Sequence, residues 1–213
     1  VLPNETVGIC LPRGFGFMAS AMAVLKIGAS YLPLDKGYPK DRLEFMANKA
    51  KIKFCIGASY GEAEAVPYSE ALKETDEFPV VVGERVYTIF TSGSTGVPKG
   101  VDMARSSSSN LLAYEASAPM TCMHYAPVSF DVHFQEIFGT LDNGGKVIVV
   151  NEKERKDFRA LSNLLLREKA QKLYLPYVAL SALANAARGA RFPELKKILV
   201  TGEQLRINRA IRK

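Results

Sequence analysis

The sequence predicts an α/β fold in which strands and helices alternate and the strands pair largely in parallel, in layered sheets. Short apolar runs such as Val7–Leu11 and Lys172–Pro176 have the length of buried strands. The segments between such runs are long enough to hold crossover helices, which parallel pairing requires. The 213 residues are 47% hydrophobic and 23% charged, which is ordinary for a globular protein with a sizeable core.

The first part of the chain is predicted to alternate three extended segments with two helices. In order, these are strand Val7–Leu11, helix Phe15–Ile27, extended segment Tyr31–Asp35, helix Tyr38–Lys51 and strand Lys53–Gly57. Gly28 is placed to end the first helix, because glycine tolerates left-handed backbone geometry. Pro39 suits the first turn of the second helix, where its missing N–H is harmless. The polar, acidic stretch that follows, 58–79, is predicted to be a loop with one short helix at Tyr68–Glu74.

The rest of the chain continues the alternation. The predicted elements are strand Val86–Phe90, helix Asn110–Ala116, strand His124–Phe130 running into a helix at Asp131, strand Lys146–Val150, helix Asp157–Ala170, strand Lys172–Pro176, helix Tyr177–Ala187 and strand Lys196–Val200. Ser106–Ser109 is predicted to cap the Asn110 helix. In the Asp131 helix, Phe130, Phe134, Ile137 or Phe138, and Leu141 share one face, which predicts a core contact.

Charge and composition exclude several function classes. The net charge is +6, and the segment from Arg188 to Lys213 carries all of that excess. Phe192 is the single aromatic residue in that segment, so base stacking and nucleic-acid binding are not predicted. No apolar run approaches the roughly 20 residues of a membrane span, so no membrane association is predicted. Cys10, Cys55 and Cys122 are odd in number and widely spaced, which favours free thiols over a disulfide framework or a metal site.

The stretch Val86–Val101, VYTIFTSGSTGVPKGV, carries the strongest functional signal. A buried strand runs straight into a glycine- and hydroxyl-rich loop that ends in a lysine. Such a loop offers a polyphosphate many donors, no acidic group and no bulky side chain. Pro98 disfavours helix at Val97, so Lys99 is predicted to lie in an extended, flexible loop that could close over a ligand, unlike the lysine of a P-loop. The alternative is a surface turn rich in serine and glycine.

The segment YTIFTSGSTGVPKG resembles the phosphate-binding motif of the adenylate-forming enzymes, which include acyl-CoA synthetases, luciferases and the adenylation domains of nonribosomal peptide synthetases. The resemblance implies ATP and Mg²⁺ as cofactors and no metal ligand in the chain itself. It implies catalytic roles for Lys99 and Thr91. The ATP- and phosphate-binding residues that it implies are Thr91, Ser92, Gly93, Ser94, Thr95, Gly96, Lys99, Gly202 and Glu203.

Other segments resemble the amino-acid-activating branch of that family: LKIGASYLPLDKGYPKDRLEFM, PVSFDVHFQEIF, LYLPYVALSALA and ILVTGEQL. By this resemblance Asp131 holds the substrate α-ammonium, which a carboxylate pairs with well. From the residues alone, helix N-capping is the favoured role for Asp131, because aspartate is among the best N-cap residues. The side-chain pocket implied by the resemblance is lined by Val132, Gln135, Tyr174, Leu199 and Thr201, together with Asp131. The four residues Asp131, Val132, Gln135 and Tyr174 resemble the pocket of proline-activating domains. Arg105 stands where the family usually carries a histidine.

The resemblance therefore implies ATP-dependent activation of an amino acid as aminoacyl-AMP, for loading onto the phosphopantetheine of a carrier protein. Carrier-protein and condensation domains of the same cytoplasmic assembly line are the implied partners. Residues 1–213 would be part of the adenylation core, with the rest of the core and a small C-terminal subdomain outside this sequence, so the chain alone would be inactive. The alternatives are an acyl- or aryl-CoA ligase of the same superfamily and a non-catalytic fragment.

Overall fold

A computed structural model describes residues 1–69, 79–92, 96–187 and 189–212. The chain divides into two compact units. Unit 1 comprises Val1–Ala113 and Val128–Phe130, and unit 2 comprises Tyr114–Pro127 and Asp131–Lys213. Each unit holds one sheet with helices packed on it, so the predicted α/β class with alternating elements is confirmed.

Unit 1 is built on a six-stranded sheet with the order β4-β3-β1-β2-β5-β6. Its elements are β1 (Thr6–Ile9), α1 (Phe15–Lys26), β2 (Ser30–Pro33), α2 (Lys40–Lys49), β3 (Phe54–Ile56), β4 (Glu64–Val66), β5 (Arg85–Thr91), β6 (Lys99–Ala104) and α3 (Arg105–Tyr114). Neighbouring strands are parallel except β5 and β6, which are antiparallel. Gly28 has a φ of 77° just beyond α1, as its predicted role requires.

Helix α2 packs on the core of unit 1 through one apolar face. Leu43, Met46 and Ala47 are the buried residues of α2. They pack into a core with Leu32 and Leu34 of the β2 region. Burial of such side chains removes apolar surface from water, which is the main favourable contribution to this fold.

Three predictions for unit 1 need correction or lie outside the described residues. β4 and β6 form within segments predicted to be loops, and β6 breaks the parallel pattern because a short loop can join only antiparallel neighbours. Helix α3 begins at Arg105, so Ser106–Ser109 lie within it instead of capping it. The predicted helix Tyr68–Glu74 falls mostly on residues 70–78, outside the described part of the chain.

Unit 2 is built on a four-stranded parallel sheet with the order β10-β9-β7-β8. Its elements are β7 (Thr121–His124), α4 (Val132–Leu141), β8 (Lys146–Val149), α5 (Glu152–Lys156), α6 (Phe158–Arg167), β9 (Lys172–Leu175), α7 (Tyr177–Ala186) and β10 (Lys197–Val200). One sheet face carries Met123, Ile148, Leu173 and Leu175, which form an apolar core with α6 and α7. Because side chains alternate along a strand, Cys122, His124, Lys172 and Tyr174 lie on the opposite face, where α4 packs.

Two predictions for the segment from β7 to α4 are wrong in detail. The strand predicted at His124–Phe130 is β7, which ends at His124, and Phe130 is 57% exposed instead of joining Phe134 and Ile137 in the core. Helix α5 was not predicted. Asn151 caps it by accepting from the backbone N–H groups of Lys153 and Glu154, a capping box that the sequence Asn-Glu-Lys-Glu encodes. Among the described residues, no helix is long and apolar enough to cross a membrane.

Candidate functional site

The glycine- and hydroxyl-rich loop of unit 1 joins two antiparallel strands, β5 and β6. Thr91 at the end of β5 is the register partner of Lys99 at the start of β6. Directly opposed residues on antiparallel strands project to the same face with neighbouring Cβ atoms, so a hydroxyl and an ammonium flank the mouth of the loop. Thr91, Ser92, Gly96 and Lys99 are all exposed. The three remaining predicted loop residues, Gly93, Ser94 and Thr95, lie outside the described residues.

The strand position of Lys99 corrects the prediction that it lies within a flexible loop. Lys99 is tied into the β5–β6 ladder by its pairing with Thr91. Its neighbour Gly100 faces the Phe90 ring, and a Cβ there would come within 3.1 Å of a ring carbon. Glycine at that position therefore allows the strand to pack closely. In the part of the chain that the structure describes, Lys99 makes no ion pair, so its ammonium is available to an anion.

Three polar side chains on the other face of the hairpin link β5 to β6. Thr88 Oγ1 donates to Asp102 Oδ1 at 2.6 Å, and Arg85 Nη1 lies 3.0 Å from Asp102 Oδ2. This carboxylate is on the face opposite Lys99, because Asp102 lies an odd number of residues after Lys99 and side chains alternate along a strand. Arg105 is held at the far end of β6, where its Nε donates to the Gly83 carbonyl at 2.6 Å. Arg105 therefore lies at the opposite end of β6 from the glycine- and hydroxyl-rich loop.

In unit 2, the carboxyl ends of the four parallel strands define one edge of the sheet. Asp131 lies in the connection from the carboxyl end of β7 to α4, and Thr201, Gly202 and Glu203 follow the carboxyl end of β10. Open α/β sheets bind their ligands at this edge. The topology thus brings the predicted ammonium-binding and nucleotide-binding residues of unit 2 to the same edge.

Asp131 stands at the N-terminus of α4 but does not cap the helix with its side chain. It has helical dihedrals (φ −58°, ψ −27°) and makes no side-chain cap hydrogen bond. Its backbone carbonyl accepts from the Phe134 N–H at 3.0 Å. The carboxylate is exposed and has no hydrogen-bond or ion-pair partner within the described ranges. The capping alternative is therefore wrong for the side chain, and the carboxylate is available to a cation.

The other predicted pocket residues lie on α4 and on two adjacent strands. Val132 and Gln135 occupy a half-buried flank of α4. Tyr174 of β9 and Leu199 of β10 are register partners, so their side chains lie side by side on the face of the sheet where α4 packs. Leu199 is half-buried, whereas Tyr174 is only 1% exposed.

Two buried polar networks on that face were not predicted. In the first, Glu136 of α4 accepts from the backbone N–H of Ala126 at 3.0 Å and lies 2.8 Å from His124 Nδ1. Both side chains are fully buried. In the second, Glu115 lies 2.7 Å from Lys172 Nζ and accepts from the Tyr174 hydroxyl at 2.7 Å. A lysine in an otherwise apolar strand, KLYLP, was the signal in the sequence, since a buried ammonium needs a carboxylate partner.

The ionisable groups of this face are held in their neutral forms where they lack a counter-ion. Burial raises the pKa of Tyr174, and the hydrogen bond to Glu115 and its negative charge raise that pKa further. Burial also raises the pKa of Cys122 to about 12, and the charge of Glu136 adds to the effect. Neither the phenol nor the thiol is therefore a nucleophile near neutral pH.

An open cavity of about 1240 Å³ in unit 2 lies away from the predicted site. It is lined by α7, residues 189–195 and residues 208–211, and Ile198 reaches it from the face of β10 opposite Leu199. It includes none of the predicted site residues. Among the described residues, no group of three or more His, Cys, Asp or Glu side chains could hold a metal ion.

Comparison with known proteins places the sequence in a family. Residues 1–212 match the family of AMP-binding enzymes, and the chain belongs to that family. The sequence is 30% identical to Gramicidin S synthase 2 of Brevibacillus brevis over 224 residues, which covers 98% of this chain and 5% of the synthase. It is 28% identical to Tyrocidine synthase 2 of Brevibacillus parabrevis, covering 99% of this chain and 6% of that protein. The chain thus spans a small part of these relatives.

Solved structures show the same fold. The nonribosomal peptide synthetase FmoA3 (S1046A) aligns with a TM-score of 0.84 and 21% identity, covering 95% of this chain and 24% of its own. The N-terminal subdomain of Klebsiella oxytoca NpsA, in complex with 3-hydroxybenzoyl-AMSN, aligns with a TM-score of 0.79 and 18% identity. This chain covers 55% of that subdomain structure. The predicted fold of an adenylate-forming enzyme core is confirmed.

Proposed function

We propose that this chain is part of the core of an amino-acid adenylating ligase of nonribosomal peptide synthesis. In this reaction the amino-acid carboxylate attacks the α-phosphate of ATP, which releases pyrophosphate and forms aminoacyl-AMP. The resemblance of its motifs and the relatives among peptide synthetases support this proposal. FmoA3, the structural neighbour, has been solved in an AMPPNP-bound form and in an alpha-methyl-L-serine-AMP-bound form.

The proposal rests on one exposed carboxylate, which lies at the N-terminus of α4 and has no partner among the residues that the structure describes. Asp131 is exposed and makes no cap hydrogen bond. An acyl or aryl acid has no ammonium group for such a carboxylate to bind, whereas an amino acid has one. A charge-assisted pair of this kind both positions the substrate and discriminates against carboxylic acids that lack an ammonium group.

The loop of unit 1 has the groups needed to bind the triphosphate. We assign Lys99 and Thr91 catalytic roles, and Ser92, Gly96 and the loop residues 93–95 to phosphate binding. The Lys99 ammonium would stabilise negative charge as it shifts onto the leaving pyrophosphate, and the hydroxyls and backbone N–H groups would orient the phosphates. We assign Gly202 and Glu203 to nucleotide binding at the carboxyl edge of unit 2.

Mg²⁺ would be held chiefly by the phosphate oxygens of ATP. This ion commonly keeps several waters and binds through phosphates with one or two carboxylates. That mode fits a chain whose described residues offer no cluster of three metal ligands. Loading onto phosphopantetheine, carrier-protein and condensation partners, and a cytoplasmic location stay predictions.

The test is amino-acid-dependent exchange of labelled pyrophosphate into ATP by the full-length protein. We expect exchange with at least one proteinogenic amino acid, and none with 3-hydroxybenzoate or a fatty acid. Asp131→Asn should raise the KM for the amino acid by about tenfold to a hundredfold, because the negative charge that strengthens the bond to the ammonium is lost while a neutral amide oxygen stays. Its matched control is Asp142→Asn, which removes an exposed carboxylate at the other end of the same helix.

Exchange that depends on an aryl or fatty acid, and not on any amino acid, would replace the proposal with an acyl- or aryl-CoA ligase. An unchanged amino-acid KM in Asp131→Asn would remove Asp131 from the site.

A further inference from the structure

The second buried network of unit 2 holds Tyr174 rigidly. Its hydroxyl lies 2.8 and 2.7 Å from the two oxygens of Glu115, whose Oε2 also lies 2.7 Å from Lys172 Nζ. The Lys172 ammonium lies 4.9 Å from the centroid of the Tyr174 ring. The side chains of Lys172 and Glu115 are 6% and 7% exposed. We call these three residues the brace.

The brace resists any rotation of the Tyr174 ring. If the ring turned away, the Glu115 carboxylate would lose the hydrogen bond from the Tyr174 hydroxyl. The Lys172 ammonium would lose its contact with the ring. Both charged groups are buried, so solvent would not compensate these losses. The raised pKa of Tyr174 keeps its proton in place, so the hydroxyl remains a donor to Glu115 at neutral pH. The ring is therefore fixed at its distal end as well as at its backbone.

The position of the ring is fixed by strand register. Tyr174 is beside Leu199 across the β9–β10 pair, on the face where α4 packs. The half-buried flank of α4 carries Val132 and Gln135. Tyr174 is 1% exposed, so its ring fills the space on this face of β9, and a smaller residue would leave a void there.

We propose that Glu115 and Lys172 are positioning residues that hold the Tyr174 ring as a closed floor of the amino-acid side-chain pocket, so that the site selects compact side chains over aromatic ones. This inference rests on the proposed function, and it adds the substrate class and two residues to it. Neither Glu115 nor Lys172 touches the substrate; both act through Tyr174.

A brace that only stabilises the fold would affect the kcat/KM values in a different way. If the network only stabilised unit 2, its loss would lower kcat/KM for every amino acid by the same factor. If it sets the pocket floor, its loss changes the ratio of kcat/KM values between large and compact substrates. The ratio is therefore the decisive quantity.

The experiment measures pyrophosphate exchange by the full-length protein with alanine, valine, phenylalanine and tryptophan. The wild type should prefer alanine or valine. Tyr174→Ala should raise the ratio of phenylalanine to valine kcat/KM by roughly tenfold or more, since pocket volume is opened. Tyr174→Phe and Glu115→Gln, which keep the ring but loosen it, should raise the ratio by roughly twofold to tenfold.

The matched control is Tyr125→Phe. Tyr125 is also a buried tyrosine of unit 2, but it packs in the apolar core on the other sheet face, and its hydroxyl bonds the Arg155 carbonyl. It should leave the ratio unchanged. Thermal unfolding of each variant identifies any that fail to fold, and Tyr174→Phe is the mildest change.

The outcomes separate the inference from the proposed function. Exchange with amino acids at a ratio that no brace variant alters would overturn the inference alone, as would a wild type that prefers phenylalanine or tryptophan. Absence of exchange with every amino acid, together with exchange driven by another carboxylic acid, would overturn the proposed function and the inference with it.

Discussion

Two ion pairs, one in each unit, have similar geometry and different surroundings. In unit 1, Arg85 and Asp102 are 3.0 Å apart, with side chains 34% and 49% exposed. In unit 2, Lys172 and Glu115 are 2.7 Å apart, with side chains 6% and 7% exposed. Distance alone would make them equivalent. The solvent around them makes them different.

Solvent exposure decides how each pair can contribute to the proposed reaction. An exposed pair exchanges its partners with water at little cost, so the Arg85–Asp102 pair adds little to the stability of the hairpin that carries Lys99. A buried pair cannot lose one partner without leaving a charge uncompensated, so it acts as fixed scaffold. In the proposed reaction, unit 1 therefore suits stabilisation of the negative charge on the phosphates of ATP. Unit 2 suits selection of the amino-acid side chain by a rigid surface.

The largest expected effect comes from breaking the buried pair. Lys172→Met leaves the Glu115 carboxylate buried without its ammonium, which should lower the local unfolding free energy of unit 2 by about 3–5 kcal/mol. Hydrogen exchange of the β9 amides in the full-length protein measures that free energy.

The double variant Lys172→Met with Glu115→Gln serves as its control. A neutral glutamine can still accept from the Tyr174 hydroxyl, so part of the lost stability should return. A single variant as stable as the wild type would mean that the Lys172 ammonium does not stabilise the buried Glu115 carboxylate.

An intermediate effect is expected at alkaline pH. Burial raises the pKa of Cys122 from 9.0 to about 12, so the folded protein keeps a proton that the unfolded chain releases. This contribution to stability is present below pH 9 and is lost as the pH rises toward 12, with a slope of about 1.4 kcal/mol per pH unit.

Cys122→Ala should make the unfolding free energy fall less steeply with pH, by the slope that one proton contributes. Urea unfolding followed by circular dichroism between pH 9 and 11 measures this slope. Other buried groups, Cys55 among them, keep the rest of it. If the slopes of the variant and the wild type coincide, the thiol does not titrate as its burial requires.

The smallest effect should come from the exposed pair. Asp102→Asn removes the charge that faces Arg85 but leaves an oxygen to accept from the Thr88 hydroxyl. We expect a loss of less than about 1 kcal/mol in the stability of the β5–β6 hairpin. Hydrogen exchange of the β5 amides checks this, and raising the salt concentration should reduce even that loss. A loss of stability as large as that expected for Lys172→Met would mean that the exposed pair and the buried pair contribute equally.

Much of the fold could be predicted from the sequence, because apolar periodicity reports burial directly. Strand β5 and helix α2 were predicted within two residues of their observed ends. The prediction failed where the local pattern carries little burial signal. Strand β4, for example, has only exposed residues, and Phe130 has the right spacing for the core but precedes the helix.

The site was only partly predictable for a similar reason. The loop from Thr91 to Lys99 is contiguous, so its composition is visible in the sequence. The brace joins Glu115 to residues 57 and 59 positions away, and only the folded sheet brings them together. The pairing of Lys99 with Thr91 also depends on strand register, which glycine and proline in the loop do not specify.

The central claim is that the Lys99 ammonium binds and stabilises the phosphates of ATP. Its most direct test is pyrophosphate exchange by full-length Lys99→Ala, with Lys36→Ala, another exposed lysine of unit 1, as the control. We expect Lys99→Ala to lower kcat/KM by roughly a hundredfold or more, because a charge aimed at the transition state is removed, and Lys36→Ala to match the wild type. Equal exchange rates in Lys99→Ala and the wild type would contradict the account.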